Sequence, residues 1–174
     1  MAGGGAPPSY TRGVPILVRD AQPEDFEAVT ALLEDLGRPR VLGTPHQEER
    51  RALYLSWLGR DDLEAFVAES GGEVVGFVDI QFVPRLNFDA PQAWVPDLIV
   101  REEARSAGVG AALLARAEER AQGRGAFALT LESANWRTRA HAFYLRQGME
   151  DAAKEFVKPL RDVGWPPPPP APSP

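Results

Sequence analysis

The amino-acid sequence predicts a single α/β domain in which a mixed sheet carries helices on its faces. Three observations support this fold class. Strand-type and helix-type periodicities alternate along the chain, Gly71-Gly72 separates two strand patterns as a hairpin turn does, and a glycine-containing turn joins a buried strand to an amphipathic helix near residue 108. A chain of 174 residues fits one domain with one core.

The first half of the predicted domain contains a strand, two helices and a pair of strands, at 14–19, 23–37, 47–58, 66–70 and 74–82. Pro23 suits the first turn of a helix, because its missing N–H has no acceptor there, and Gly37 suits the helix end. The last two strands flank Gly71-Gly72, since glycine accepts the positive φ angles of a two-residue hairpin. We therefore expect an antiparallel hairpin at this point.

The second half begins with a loop at 84–91 and continues with strand, helix, strand, helix and strand at 93–100, 108–122, 127–132, 136–147 and 155–160. Pro96 lies inside the first of these strands. Because proline cannot donate to a sheet ladder, a bulge or splay is expected there. Gly148 follows the last predicted helix and ends it.

Composition limits the possible functions. The chain has no cysteine, which excludes disulfides, thiolate metal sites and a thiol nucleophile, and no metal site is predicted. Its net charge of -6 argues against nucleic acid as a partner. Residues 1–12 and the Pro-rich residues 164–174 are predicted to be disordered tails around a domain at 13–163. Without an apolar span or a secretory signal, we expect a cytoplasmic protein that does not associate with membranes.

The turn before the helix at 108–122 is the most informative segment. A turn that enters a helix exposes unpaired N–H groups at the positive end of the helix dipole, so it can bind a pyrophosphate. Gly108 and Gly110 carry no side chain that would hold phosphates away, and Arg105 adds a positive charge. The predicted phosphate-binding residues are Arg105, Ser106, Ala107, Gly108, Val109, Gly110 and Ala111.

From these residues alone, other interpretations of the turn stay open. A P-loop is excluded because no Gly-Lys-Ser/Thr follows. The dinucleotide fingerprint needs a small residue where Leu113 stands, although Glu132 falls near its acidic position, so a dinucleotide-binding domain remains an alternative. A tight turn that binds nothing is a further alternative.

The turn resembles the signature Q/R-x-x-G-x-G/A of the GNAT superfamily of N-acetyltransferases, at Arg105, Gly108 and Gly110. Downstream, a second segment is similar to the R-x-x-A-H-x-F-Y…G-F/M pattern of many of these enzymes, through Arg137, Ala140-His141, Phe143-Tyr144 and Gly148-Met149. The resemblance covers about residues 16–160. It implies a mostly antiparallel, splayed mixed sheet and acetyl-CoA as cosubstrate. A primary amine of a small molecule or peptide would attack the acetyl group directly, through a tetrahedral intermediate.

The resemblance also implies where the cofactor lies. The strand before the turn would splay and offer the backbone of Leu98, Ile99 and Val100 to the pantetheine arm, as an edge strand pairs with a peptide. Tyr144 would donate a proton to the leaving thiolate, and an N–H near Leu98 would bind the oxyanion. Asn135 is predicted to cap the helix that carries Tyr144 and to reach the cofactor.

The remaining site residues are less specific. Asp97 is a candidate general base, with Glu132, Asp79 and relayed water as alternatives, whereas the lone His141 is expected to be structural. Segments that line the acceptor site in related folds contribute Trp57, Phe82, Arg85 and Trp94, which could equally belong to core or loop. A non-catalytic acyl-CoA-binding sensor is the alternative function. Oligomeric state stays open, a homodimer included.

Overall fold

Six strands form one mixed sheet in the computed structural model, which describes residues 15–161. The predicted tails at 1–12 and 164–174, and Val14 of the first predicted strand, lie outside the described residues. The strands are β1 (Ile16–Asp20), β2 (Leu63–Ser70), β3 (Glu73–Val83), β4 (Gln92–Val95), β5 (Leu98–Val100) and β6 (Ala128–Leu131). The helices are α1 (Phe26–Asp35), α2 (Gln47–Leu58), α3 (Val109–Gly123) and α4 (Thr138–Arg146), with 3₁₀ turns at Pro23–Asp25 and Glu102–Ala104.

The sheet has the order β1-β2-β3-β4-β6, and β5 pairs with β3 beyond the end of β4. All pairs are antiparallel except β4 with β6. The predicted hairpin is confirmed, because Gly71 and Gly72 have φ angles of 63° and 82° between β2 and β3. A dinucleotide-binding domain requires a parallel sheet, so that alternative is wrong.

Helices cover both faces of the sheet and enclose two clusters of buried side chains. On one face α3 packs on β3, with Leu113 and Ala117 against Val78 and Ile80. On the other face α1 and α2 cover β2 and β3, and the buried side chains are Phe26, Val29, Leu32, Tyr54, Val67 and Phe77. Residues 75–80 of β3 are all buried because helices cover both faces of the sheet, which explains why most residues of this strand are apolar.

Gly76 allows α3 to lie unusually close to β3. A Cβ atom at this position would lie 2.9 Å from Leu113 Cδ1, 3.0 Å from Val109 Cγ1 and 3.2 Å from the Ile99 carbonyl oxygen. Because real Cβ atoms almost never approach so closely, the helix start and β5 are positioned by the missing side chain.

The predicted break at Pro96 is confirmed. Residues 92–94 pair with β3 and residues 92–95 pair with β6, whereas residues 98–100 pair with β3 alone, so the sheet splays after Pro96. Asp79 holds the irregular segment in place: its backbone N–H donates to the Asp97 carbonyl at 3.2 Å, and its Oδ1 accepts from the Asp97 N–H at 2.9 Å. This reciprocal pair replaces the regular ladder at the break.

Two predicted elements differ from the structure. Residues 155–160 do not form a strand: Pro159 removes one ladder donor, and Phe156 and Leu160 are 92% and 91% exposed, with no strand beside them in the described chain. The helix predicted from Trp136 begins at Thr138 instead, because the Arg137 N–H first closes a turn onto the Ala134 carbonyl at 2.9 Å.

Candidate active site

The splay opens a cleft between β5 and the end of β6, with a volume of about 370 Å³. Its walls come from the link after α1, the β4–β5 break, residues 131–134, the inner face of α4 and the segment after α4. This volume lies within the range of small-molecule sites. The cleft is the place where the chain can hold two reactants together.

Leu98 of β5 lines the cleft, and the backbone of this strand has one open edge. The Asp97 carbonyl accepts from the Asp79 N–H, and the Arg101 N–H donates to the Val75 carbonyl at 2.9 Å. The backbone N–H and C=O groups of the odd-numbered residues therefore face β3. In an antiparallel ladder the next residues face the other way. The backbone groups of Leu98 and Val100 therefore face the open side, where residues 15–161 provide no further strand, while the Ile99 side chain is buried in the core.

The glycine-containing turn lies at the start of α3, directly after β5. Gly108 is the N-cap with φ of 90°, and the first intrahelical bond runs from the Ala112 N–H to the Gly108 carbonyl at 3.0 Å. The N–H groups of residues 109–111 therefore have no intrahelical acceptor. Ser106 also has a positive φ of 69°, which a side chain adopts at a cost, so the turn before the helix is conformationally constrained.

The two glycines of the turn lie in different surroundings. A Cβ atom at Gly108 would meet no atom within 4 Å, so this glycine is required by its positive φ and leaves open space in front of the helix. A Cβ atom at Gly110 would lie 3.4 Å from Phe143 Cζ and 3.6 Å from Val100 Cγ2. These are ordinary van der Waals distances, so close packing does not require a glycine at position 110.

Arginines surround the turn. The Arg105 Nε donates to the Val100 carbonyl at 3.2 Å, and its guanidinium lies 3.7 Å from Glu102. From α4, the Arg139 Nη2 donates to the Ser106 Oγ at 3.2 Å. The predicted cation at Arg105 is therefore joined by Arg139, and both guanidinium groups lie beside N–H groups that can receive an anion.

Tyr144 lies on the inner face of α4 and lines the cleft. Its ring contacts that of Phe143 edge-on, with centroids 5.3 Å apart. Burial raises the pKa of the Tyr144 phenol, and the nearby positive charge of Arg137 opposes this rise. The phenol is therefore protonated throughout the neutral range. Arg137, seven residues earlier and so on the same helix face, lines the same cleft.

Asp97, the predicted base, forms an ion pair at the edge of the cleft. The Arg38 Nε donates to Asp97 Oδ1 at 2.9 Å, and Arg38 Nη2 also bonds to this oxygen. Arg38 lines the cleft, whereas the Asp97 side chain does not. The neighbouring Asp79 is 3% exposed; burial raises the pKa of its carboxyl well above the usual range, and the Asp97 charge raises it further.

Of the four predicted acceptor residues, the structure brings only Trp94 to the cleft, where its Nε1 donates to Glu132. Trp57 instead packs between Tyr54 and Phe77. The other two also lie elsewhere: Phe82 is buried in the α3-side cluster, and Arg85 lies exposed on the loop after β3.

Asn135 does not cap α4. It lies exposed in the turn before the helix, and the N-cap residue is Arg137, without a side-chain cap bond. Cleft residues from distant segments were not predicted, namely Leu36, Arg38, Ser133, Ala134 and Glu155. No sequence motif marks these positions. Arg137 also lines the cleft; it belongs to the R-x-x-A-H-x-F-Y segment, but no role was predicted for it. His141 does not line the cleft.

Two further findings concern residues 15–161. No helix in this range is both long enough and apolar enough to span a bilayer. The same range contains no group of three or more His, Asp or Glu side chains placed to bind a metal ion.

Comparison with known proteins identifies relatives of this fold and site. The model of the Acetyltransferase (GNAT) family matches residues 27–149. The aminoalkylphosphonate N-acetyltransferase of Salmonella typhimurium is 30% identical over 143 residues, which cover 82% of this chain and 90% of that enzyme. A putative acetyltransferase from Agrobacterium tumefaciens superposes with a TM-score of 0.74 at 25% identity, covering 83% of this chain and 99% of the other. An aminoglycoside N-acetyltransferase crystallised with CoA shares the fold, with a TM-score of 0.71 at 18% identity over 87% of this chain and 98% of the other.

Proposed function

The chain belongs to the acetyltransferase (GNAT) family, and we propose that it transfers an acetyl group from acetyl-CoA to a primary amine of a small molecule or peptide. One observation carries the proposal: Leu98 of β5 and the Tyr144 phenol line one cleft, and the turn at 105–111 follows β5 at the start of α3. Acetyl-CoA needs all three, because it has phosphates to bind, an extended amide arm to align and a thiolate to protonate.

The chain's own groups account for cofactor binding. The N–H groups at the start of α3, with Arg105 and Arg139, can hold the pyrophosphate. The outward-facing backbone of Leu98 and Val100 can pair with the pantetheine amides as an added strand would. The Arg105 Nε donates to the Val100 carbonyl at 3.2 Å, so this hydrogen bond must break before the ligand can pair with that carbonyl.

The acetylation step follows from the same geometry. The amine nitrogen bonds to the thioester carbonyl carbon, and the outward-facing Leu98 N–H donates to the oxygen that becomes negative. The carbon–sulfur bond then breaks. Tyr144 gives its phenolic proton to the thiolate, while the amine loses one proton, so that an amide and a free thiol result. No covalent enzyme intermediate is needed.

We propose that Asp97 receives the amine proton through water. Its carboxylate lies beside the cleft but not on its wall, so a bridging water is required for contact with the acceptor. The Arg38 guanidinium fixes the orientation of the carboxylate.

The Tyr144→Phe variant tests this function. We expect turnover of an active amine to fall by about 10²-fold or more, since a phenylalanine cannot donate the proton, while acetyl-CoA still raises the melting temperature. Release of CoA thiol and calorimetric binding are the two measurements.

Tyr54→Phe is the matched control. Tyr54 is a buried residue of α2 whose ring packs against Phe26 of α1. Its hydroxyl donates to the Gln22 carbonyl at 3.0 Å, away from the cleft. It should lose about 1 kcal/mol of stability and retain turnover. Equal turnover in the Tyr144→Phe protein and the wild type would remove Tyr144 from the mechanism. Absence of thiol release with every amine would refute the enzymatic function and favour an acyl-CoA-binding sensor.

A further inference from the structure

Arg137 places a partly buried guanidinium on the wall of the cleft. Within residues 15–161 it forms no ion pair with a carboxylate, and its defined contact is the face of the Trp136 ring, 5.7 Å from the centroid. Burial lowers the pKa of Arg137; Tyr144 and the Asp97 charge oppose this shift, and the positive charges of Arg105 and Arg38 add to it. A partly buried guanidinium without an ion-pair partner favours a ligand of opposite charge.

Two charged groups on the cleft wall, Arg38 and Glu132, have partners within the described chain, whereas Glu155, after α4, is exposed to solvent. Arg38 is paired with Asp97, and Glu132 accepts from the Trp94 indole. Arg105 is bound to the Val100 carbonyl and lies near Glu102. The guanidinium of Arg137 is therefore the cation on the cleft wall that the described chain does not neutralise.

The cofactor phosphates have a separate set of donors. The turn offers the N–H groups of residues 109–111 and two guanidinium groups, and Arg139 reaches it from the same helix as Arg137. Arg137 lies instead with Tyr144 and Trp94 around the cleft, where the reacting groups must meet. Its position separates it from the pyrophosphate site and directs it toward the acceptor.

We propose that Arg137 binds an anionic group of the acceptor, so that the preferred substrates are primary amines that also carry a carboxylate, phosphonate or phosphate. This inference rests on the proposed acetyltransferase function and adds the substrate class. A guanidinium binds such groups through two parallel N–H···O bonds, which fixes the acceptor's orientation as well as its charge. The amino end would then be directed toward Leu98 and Tyr144.

Matched acceptors test the proposal. We would compare kcat/KM for 3-aminopropylphosphonate with that for butylamine, in the wild type and in Arg137→Gln. The wild type should prefer the anionic amine, and Arg137→Gln should reduce kcat/KM for the anionic amine about 10- to 100-fold more than for butylamine, the amount expected for a charge-assisted hydrogen bond. Arg137→Lys keeps the charge but loses the paired geometry, so it should restore only part of the preference.

Arg139→Gln is the control on the same helix. Because Arg139 contacts Ser106 of the turn, this variant should raise KM for acetyl-CoA and leave the ratio between the two amines unchanged. Equal losses for both amines in Arg137→Gln, or a change confined to KM for acetyl-CoA, would overturn the proposal and assign Arg137 to the cofactor.

A binding measurement separates this inference from the proposed function. Titration of 3-aminopropylphosphonate into the CoA complex should give heat with the wild type and at least tenfold weaker binding with Arg137→Gln. If neither amine is acetylated, the enzymatic function fails, and the titration still decides on Arg137. Equal affinities in the two proteins would show that Arg137 does not bind the anion.

Discussion

Gly76→Ala should disturb the joint between the sheet and the start of α3. The added Cβ atom would lie 2.9 Å from Leu113 Cδ1, 3.0 Å from Val109 Cγ1 and 3.2 Å from the Ile99 carbonyl oxygen. Leu113 and Val109 are 0% and 1% exposed, so neither side chain has free space into which it can turn. Part of the strain must therefore be relieved by movement of α3 away from β3 and β5.

The size of the effect follows from the packing. Overfilling a close-packed core by a methyl group costs about 1–3 kcal/mol. In a chain of this length each kcal/mol lowers the melting temperature by about 2–4 °C, so a decrease of about 2–12 °C is expected. Val109 is the first residue of α3, directly after the turn, and its displacement should also raise KM for acetyl-CoA. The kcat at saturation should change less, because Tyr144 is on another helix.

Thermal unfolding with and without acetyl-CoA measures both effects. Gly123→Ala, at the end of α3, is the control, since its Cβ atom would meet nothing within 4 Å and its φ is not positive. It should be neutral or stabilising by up to about 1 kcal/mol. A Gly76→Ala protein that melts with the wild type would refute the argument that α3 is positioned by close contact at Gly76.

Three more variants give separate predictions. In Asp79→Asn the amide oxygen can still accept from the Asp97 N–H, but a carboxyl whose pKa is raised by burial is removed. In the wild type, folded Asp79 binds a proton more tightly than unfolded Asp79 does. Its stabilising contribution is therefore lost as pH rises from about 4 through the raised pKa. Asp79→Asn should therefore unfold with a flatter pH dependence and greater stability at neutral pH; parallel curves of unfolding free energy in urea against pH would contradict this. In Asp97→Asn the rate loss should be largest at low pH, where fewer amines are neutral, and a uniform loss across the pH–rate profile would remove Asp97 as the base. Trp94→Phe removes the indole donor to Glu132 and should raise KM for the amine several-fold with little change in kcat, whereas an unchanged KM would place the acceptor away from Trp94.

Local patterns predicted most of the fold. The bounds of α2 agree with the prediction, the Gly71-Gly72 hairpin forms, and Pro96 breaks the ladder because the missing N–H is a property of the residue itself. The strand expected at 155–160 failed for the opposite reason. Its apolar pattern suits a strand, but a strand also needs a neighbour, and pairing is a property of the whole chain.

The candidate site was predicted less completely than the fold. The turn and Tyr144 are marked by short motifs, whereas the Arg38–Asp97 pair joins positions 59 residues apart and leaves no local signal. Trp57 and Phe82 were assigned to the acceptor site because their segments line it in related folds, and aromatic side chains suit a packed core equally well.

The two sides of the cleft differ in burial, and this difference determines where substitutions can be tolerated. The cofactor side is built from α3, β5 and their contact with β3, where an added methyl group is already too large. The other side is formed by partly or fully exposed side chains from three separate surface segments, at 36–38, 132–137 and 155. Substitutions in these segments alter few buried contacts and so cost little stability. Laboratory selection for a new amine should therefore succeed with libraries confined to these segments, while libraries that include Gly76 or Val109 should yield many destabilised chains.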